Sequence, residues 1–142
     1  MTTIRQLLTT KAGAVCAVAP EDTVFDAIKK MADKNIGAVV VLEEGRLVGL
    51  FTERQYARNV ILKGRSSPTT QVRDVMQTEV VCARPQQTVE ECMAVMTDKR
   101  VRHLPVLEDE QLIGIVSIGD LVKSKIADQE FIIERLVEYV RG

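Results

Sequence analysis

The chain has 142 residues, of which 46% are hydrophobic, and a net charge of −1 at pH 7. This length allows one ordinary domain with a buried core. The near-zero charge gives no bulk attraction to nucleic acid or to an anionic membrane, and no apolar run approaches the roughly 20 residues of a membrane span. The N-terminal sequence MTTIRQLLTTKAG lacks the apolar core of a secretion signal, so we expect a cytoplasmic protein.

The sequence is nearly duplicated. Residues 20–58 align without a gap to residues 85–123 at a constant offset of 65, and 11 of these 39 positions are identical. Ordinary composition would give roughly two or three identities by chance. Two copies of one small unit pack with pseudo-twofold symmetry, and symmetry makes paired clefts. We therefore expect one module that is built from both copies.

Each repeat begins with a short apolar segment that predicts a strand, over Val15–Val18 in the first copy and Val80–Ala83 in the second. A proline ends this segment, and a helix with apolar residues on one face follows. Thr23 and Thr88 are the predicted N-caps of these helices, and Thr88 makes a capping box with Glu91.

Two further strands come next in each copy. They are predicted over Ala38–Leu42, Leu47–Phe51, His103–Leu107 and Leu112–Val116. Their dense Val, Ile and Leu content is typical of strands that are buried on both faces. A second helix then begins at Thr52 or Ser117. The predicted fold class is α/β, with the order strand, helix, strand, strand, helix run twice.

The segments outside the strict repeat complete the predicted domains. Repeat one is expected over residues 4–62, a polar linker over 63–70, repeat two over 71–127 and a C-terminal helix over 128–142. Ile4–Leu8 and Gln71–Met76 are predicted as short helices, each preceding its own repeat. The last helix carries an apolar stripe of Ile132, Ile133, Leu136, Val137 and Val140. This stripe can close the core of the module or pack on a second copy, and we favour a homodimer.

Catalytic and metal chemistry find little support in the sequence. Cys16, Cys82 and Cys92 form no CxxC motif, and we expect these thiols to be reduced and buried. A single histidine and three scattered cysteines give no cluster of metal ligands. There is also no nucleophile–base set, no pair of carboxylates and no P-loop. We therefore expect no catalytic residue and no bound metal, and a protein that is not an enzyme.

The third strand of each repeat runs into its second helix through a shared pattern, Gly-h-h-[Ser/Thr]-x-x-[Asp/Gln]. It places Thr52 and Gln55 in the first copy, and Ser117 and Asp120 in the second. A hydroxyl at a strand–helix junction lies beside free backbone N–H groups and the positive end of the helix dipole, which suits a phosphate. A carboxylate one turn later can accept hydrogen bonds from two vicinal ribose hydroxyls. The same residues also form a capping box, which any helix start can use.

The repeat order, the strands that begin KNIGAVVV and RVRHLPV, and the two junctions resemble a tandem pair of CBS domains (the modules named after cystathionine β-synthase) of the stand-alone bacterial kind. The resemblance covers about residues 4–127. It implies a disc-like α/β module of two β-α-β-β-α repeats with pseudo-twofold symmetry and two clefts; the C-terminal amphipathic helix, which follows this region, is expected from its own apolar stripe. It also implies regulatory binding of an adenosine ligand: AMP is expected first, with ADP, ATP, NAD or S-adenosylmethionine as alternatives.

The resemblance carries ligand contacts over to particular residues. In the family the hydroxyl and the Asp contact ribose or phosphate, which implies Ser117 and Asp120 here. Gln55 departs from the usual Asp, so the first copy is expected to bind ribose less well. Basic residues that face phosphates are expected at the start of the second strand. The predicted nucleotide-binding residues are Gly37, Ala38, Thr52, Arg54, Gln55, Arg102, His103, Ser117 and Asp120.

For three of these residues an alternative without a bound ligand stays open. His103 and Arg102 are also compatible with a strand surface that has no ligand, and Arg54 with a solvated helix face. The favoured function is a regulatory nucleotide sensor that modulates an unidentified partner protein. The alternative is a ligand-free interaction or structural dimer that could bind nucleic acid. Nucleic acid is not the expected partner, because no aromatic residues interleave with the basic run from Arg54 to Arg65.

Overall fold

The computed structural model describes residues 1–11 and 13–141. Its elements in chain order are α1 (Ile4–Thr10), β1 (Ala17–Val18), α2 (Val24–Lys34), β2 (Ala38–Glu43), β3 (Arg46–Thr52), α3 (Glu53–Gln55) with a π-helical continuation (Tyr56–Ile61), a 3-10 turn (Val72–Asp74), α4 (Val89–Lys99), β4 (His103–Glu108), β5 (Gln111–Ser117) and α5 (Ile118–Arg141). The α/β class and the presence of two repeats are confirmed. The chain forms two compact units: the first-repeat unit is Ala14–Val80, and the second-repeat unit is Met1–Gly13 with Val81–Gly142.

The first-repeat unit contains a three-stranded sheet in the order β1-β2-β3, with β1 parallel and β3 antiparallel to β2. The predicted N-cap is confirmed, because the Thr23 hydroxyl accepts a hydrogen bond from the Asp26 N–H at 3.1 Å. The helix α2 ends at Asn35, which adopts the left-handed conformation that often terminates helices. The buried residues Val24, Ala27, Met31, Val39, Val41 and Phe51 belong to its core.

The second-repeat unit contains an antiparallel pair, β4 and β5. The predicted capping box at the start of α4 is confirmed: the Thr88 hydroxyl accepts from the Glu91 N–H, and the Glu91 carboxylate accepts from the Thr88 N–H. Apolar residues of α1, α4, β4, β5 and α5 form its core, among them Ile4, Leu7, Val89, Leu104, Val116 and Leu121.

The two segments that precede the repeats are exchanged. The N–H of Ile4 donates to the Gln87 carbonyl at 2.8 Å, so α1 is bonded to the second-repeat unit. In the first-repeat unit the N–H of Val72 donates to the Asp22 carbonyl, also at 2.8 Å. Each unit is therefore completed by the segment that precedes the other repeat in the chain. The boundaries expected from the sequence follow chain order and do not contain this exchange.

Two local predictions were wrong. No strand forms over Val80–Ala83: among the described residues of this segment, Ala83 makes one isolated parallel bridge, to Val106. The chain passes this point with two backbone hydrogen bonds to β4, from the Ala83 N–H to Pro105 at 2.8 Å and from the Leu107 N–H to Ala83 at 3.0 Å. The second error concerns β5, which was expected to be buried on both faces. Its residues alternate in burial, because only one face lies on the core.

The predicted burial of the cysteines is confirmed for one of the three. Cys92 is buried, and burial, together with the Glu91 charge, raises the pKa of its thiol to about 11. Cys16 and Cys82 are only partly buried. Cys16 immediately precedes β1, and Cys82 immediately precedes the isolated bridge at Ala83. Burial still raises the pKa of the Cys82 thiol.

The last helix is not a separate element. The helix α5 runs without a break from Ile118 to Arg141, so the predicted C-terminal helix is the extension of the second helix of repeat two. In the first copy the matching helix ends near Gly64, which has a positive φ of 68° and suits a helix end. At the offset of 65 the second copy has Gln129 at this position, and the helix continues. Its stripe residues are 43–82% exposed and do not close the core of the described chain.

Candidate functional site

The hairpin of each repeat brings its strand–helix junction beside the start of its second strand. In the first-repeat unit Ala38 pairs with Thr52, and in the second-repeat unit His103 pairs with Ser117. The first helical N–H then donates back across the hairpin, from Glu53 to the Gly37 carbonyl at 3.1 Å. The Ile118 N–H donates in the same way to the Arg102 carbonyl at 2.9 Å.

All nine residues predicted from the sequence therefore fall into two groups, one in each unit. The first half-site consists of Gly37, Ala38, Thr52, Arg54 and Gln55. The second half-site consists of Arg102, His103, Ser117 and Asp120. Their roles in binding a ligand remain predictions.

In the first half-site the polar side chains satisfy one another. Thr52 is buried and caps α3, and its hydroxyl accepts from the Gln55 N–H at 3.4 Å. The side-chain oxygen of Gln55 accepts from the Thr52 N–H at 3.0 Å and from the Thr52 hydroxyl. The acceptor oxygen of Gln55 is thus used inside the cap. This arrangement leaves the first half-site without an anionic acceptor for ribose hydroxyls.

In the second half-site the same capping box carries a charge. The Ser117 N–H donates to Asp120 Oδ2 at 2.8 Å, and the Asp120 N–H donates to Ser117 Oγ at 3.1 Å. A third group joins them: Lys11 Nζ lies 2.7 Å from Asp120 Oδ2 and 2.6 Å from the Ile115 carbonyl oxygen. The side chains of Lys11 and Asp120 are 32% and 27% exposed, so the pair is half-buried.

The protonation of Asp120 follows from these contacts. Burial by itself raises the pKa of the Asp120 carboxyl, because it disfavours the charged form. The hydrogen bonds and charge of Lys11 and the N–H of Ser117 act in the opposite direction and outweigh burial, so the pKa lies below its ordinary value. Asp120 is therefore an anion at neutral pH, and its Oδ2 already accepts two hydrogen bonds.

Sequence reasoning missed Lys11. The residue follows α1, and its backbone N–H is fixed by a hydrogen bond to the Leu7 carbonyl at 3.1 Å. It lies 109 positions from Asp120 along the chain. No spacing rule connects the two residues, because their contact depends on the exchange of α1 into the second-repeat unit.

The remaining predicted residues differ in exposure. Arg102 and Arg54 are exposed, whereas His103 begins β4 and is half-buried. Ala38 is buried, and Gly37 before it is half-buried. The second half-site thus combines the Asp120 anion with Arg102 and with the Lys11 cation that contacts the carboxylate, and the first combines small residues with one arginine.

A metal-binding cluster and a membrane-spanning helix are two further features that residues 1–11 and 13–141 could contain. In this part of the chain no three His, Cys, Asp or Glu side chains come together in a group that could hold a metal ion. None of the helices in these residues combines the length and the apolar character required to cross a membrane.

Comparison with known proteins places the fold in a family. The family model described as CBS domain matches residues 4–61 and 72–126. The CBS domain-containing protein CBSX3, mitochondrial, of Arabidopsis thaliana is 42% identical over 127 residues, which cover 86% of this chain and 62% of the relative. The chain thus spans less than two thirds of that relative's length.

Solved structures agree. A protein with CBS domains from Burkholderia ambifaria MC40-6 is 50% identical and superposes with a TM-score of 0.87. The match covers 90% of this chain and 96% of that one. The CBS domain pair of protein MJ0100, solved in complex with 5′-methylthioadenosine and S-adenosyl-L-methionine, shares the fold at a TM-score of 0.78 and 19% identity, covering 89% of this chain and 98% of its own. The chain belongs to the CBS domain family and carries two copies of the domain.

Proposed function

We propose that this CBS domain pair is a regulatory module that binds an adenine nucleotide and passes the nucleotide status of the cell to a partner protein. The observation that carries the proposal is the Asp120 carboxylate, which is ionised at a strand–helix junction beside the Ser117 hydroxyl. An anionic acceptor next to a helix start and a basic strand is suited to a ligand that has both hydroxyls and phosphates.

This chemistry supports an adenine nucleotide as the ligand. Vicinal ribose hydroxyls match a carboxylate acceptor, and for phosphate Arg102 supplies a cation and His103 a ring nitrogen that can donate a hydrogen bond. AMP is the first candidate, and ADP, ATP, NAD and S-adenosylmethionine also contain a ribose. The MJ0100 complex supports an adenosine ligand only at the level of the shared fold.

The two half-sites have different proposed tasks. In the first, Gly37 and Ala38 offer little side-chain bulk, so a ring or sugar can approach the backbone closely. Thr52 supplies a hydroxyl once its hydrogen bond to the Gln55 side chain opens, and Arg54 in the first turn of α3 supplies a charge for phosphate. Gln55 is the weaker partner, because its side-chain oxygen already accepts hydrogen bonds from Thr52.

Regulation follows from differential binding. A ligand that binds one arrangement of the module more tightly than another shifts the population toward that arrangement, and a partner that reads it responds. No catalytic step is proposed, and the cytoplasmic location stays a prediction from the sequence.

The experiment is a thermal melting scan of the purified protein with AMP, ADP, ATP, NAD and S-adenosylmethionine. A ligand at about 100 times its Kd stabilises the fold by ~2.7 kcal/mol, which shifts the melting temperature by several degrees. Asp120→Asn should reduce the shift, whereas Asp98→Asn, which neutralises an exposed carboxylate of the same unit, should keep it. If no nucleotide at millimolar concentration moves the melting temperature, the alternative of a ligand-free interaction protein gains the stronger support.

We also propose that the exposed half of α5 packs on a second copy of this chain. Ile126, Ile133, Leu136 and Val140 follow one another at spacings of seven, three and four residues, as in the seam of paired helices. Ile132 and Val137 flank this seam and widen it. A contiguous exposed apolar face of this kind marks an interaction site.

The seam and its flanks argue for self-association. The charged residues Glu134, Arg135, Glu138 and Arg141 lie away from the seam, so the seam itself carries no charge that would oppose packing. Sedimentation equilibrium tests the proposal: Leu136→Glu should give a monomer, and the polar-face variant Glu134→Gln should stay dimeric. A dimer that survives Leu136→Glu would show that α5 is not the contact.

A further inference from the structure

We propose that Lys11 competes with the ligand's ribose for Asp120 and so sets the affinity of the second half-site. This inference rests on the proposed binding of adenine nucleotides and names the residue that regulates it. The feature on which it depends is an internal cation that already occupies the acceptor oxygen a ribose would use.

The geometry defines the competition. Asp120 Oδ2 accepts from Lys11 Nζ at 2.7 Å and from the Ser117 N–H at 2.8 Å. A carboxylate oxygen has two lone pairs, so Oδ2 is saturated by these two donors. Two vicinal hydroxyls bind a carboxylate best through both of its oxygens. The ribose therefore cannot engage Asp120 fully until the Lys11 ammonium leaves Oδ2.

The contact is built so that it can be released. Lys11 Nζ contacts the Ile115 carbonyl oxygen at 2.6 Å and Asp120 Oδ2 at 2.7 Å. Both contacts are made by the end of a flexible side chain. Rotation of the lysine stem therefore releases both without breaking a hydrogen bond between two backbone groups.

Charge explains why a cation lies beside Asp120. Asp120 is a half-buried anion, and an uncompensated half-buried charge is costly, so a cation stabilises it in the absence of ligand. Gln55, at the equivalent position, is neutral and is satisfied by Thr52. Hydrogen bonds between charged groups are the strong ones, so removal of the competing ammonium should raise affinity about tenfold.

The test uses adenosine, because a neutral ligand separates competition at Asp120 from attraction between Lys11 and a phosphate. Calorimetric titration of the full chain compares wild type with Lys11→Met, which keeps the apolar stem and removes the ammonium. The control is Arg5→Met, since Arg5 also joins the N-terminal segment to the second repeat by an ion pair, with Glu108, outside both half-sites. The second ligand is 2′,3′-dideoxyadenosine, which lacks the hydroxyls.

The expected result is a roughly tenfold gain in adenosine affinity for Lys11→Met, no gain for Arg5→Met and no gain for dideoxyadenosine. Lys11→Gln, which keeps a donor without the charge, should give a smaller gain and serves if Lys11→Met unfolds. Equal or weaker adenosine binding by both Lys11 variants overturns the competition while leaving the proposed function in place. An equal gain for dideoxyadenosine also overturns it, and failure of every protein to bind adenosine or AMP overturns both proposals.

Discussion

Gly114 lies against the side chain of Leu8: a Cβ atom at residue 114 would come within 2.7 Å of Leu8 Cδ2. In the other unit a Cβ at Gly49 would come within 2.5 Å of Met76 Sδ and 3.1 Å of the Gln77 carbonyl oxygen. Neither glycine has a positive φ, so backbone conformation does not require it. The glycine that opens the shared junction pattern is therefore explained by the close packing of the exchanged segments on β5 and β3.

We expect Gly49→Ala and Gly114→Ala each to lower the free energy of unfolding by about 1–3 kcal/mol, because an added methyl group overpacks the contact. Gly49→Ala should cost more, since the Gln77 carbonyl is backbone and cannot rotate away as the end of Leu8 can. Urea denaturation measures both values. Gly119→Ala is the control: its Cβ would meet only Ser117 Oγ at 3.6 Å, and alanine favours the helix.

The pairing of Gly114 with Leu8 can be tested directly in a double-mutant cycle. Leu8→Ala alone should destabilise the fold by loss of apolar contact, but Leu8→Ala combined with Gly114→Ala should cost less than the sum of the two. Additive costs would mean that α1 does not press on β5 at this point in solution.

The local elements could be predicted because local residues determine them. The caps Thr23 and Thr88 set where α2 and α4 begin, and the apolar runs locate four of the strands to within one residue. The continuity of α5 was not predicted, since a separate helix was expected from residue 128, although the second copy has Gln129 where the first has Gly64. The exchange of α1 could not be predicted either, because it depends on which sheet a short apolar helix docks against.

The candidate site, like the fold, could be predicted only in part from the sequence. The pattern predicted the junction residues, and the hairpins bring them to the start of each second strand. The pattern did not reveal that Asp120 is paired, because its cation, Lys11, comes from the exchanged segment. Because Asp120 is a half-buried cap with a partner, its loss should affect stability as well as binding.

Arg102 should matter for phosphates and not for the nucleoside. Arg102→Ala is expected to weaken ATP binding about tenfold and to leave adenosine within about twofold, because a hydrogen bond to a charged phosphate is lost. Its backbone carbonyl, which accepts from Ile118, is unaffected by the change. Arg84→Ala, which removes another exposed arginine of the same unit, should change neither affinity. Equal losses for ATP and adenosine would contradict a phosphate role.

Gln55→Asp should turn the first half-site into a better ribose binder. The substitution recreates the Ser117–Asp120 arrangement at Thr52, with a carboxylate that can accept hydroxyl hydrogen bonds. Calorimetric titration with AMP should then show a higher number of bound ligands per chain, or tighter binding at a second site. Gln55→Ala, which removes the amide without adding a charge, is the control. A stoichiometry that does not change in Gln55→Asp would show that the missing charge is not what weakens the first half-site.

The Lys11–Asp120 pair also predicts how stability depends on pH. Although burial alone would raise it, the pKa of the folded Asp120 carboxyl is held below its ordinary value of 3.8 by Lys11 and the Ser117 N–H. A carboxyl with a lowered folded pKa stabilises the fold above its unfolded pKa, and this contribution is lost as the pH falls through the folded pKa. Wild type should therefore lose stability below about pH 4 through this group.

Lys11→Met should alter that profile in a defined direction. Burial remains in the variant but the ammonium does not, so the folded pKa of Asp120 should rise, and the stabilisation above about pH 4 should shrink or reverse. Unfolding free energies measured in urea between about pH 3 and pH 7 should show wild type ahead at neutral pH and the difference closing in acid. The exposed pair Arg5–Glu108 provides the comparison, because Arg5→Met should change the profile much less. Parallel curves for wild type and Lys11→Met would mean that the ammonium does not hold the Asp120 carboxylate in solution.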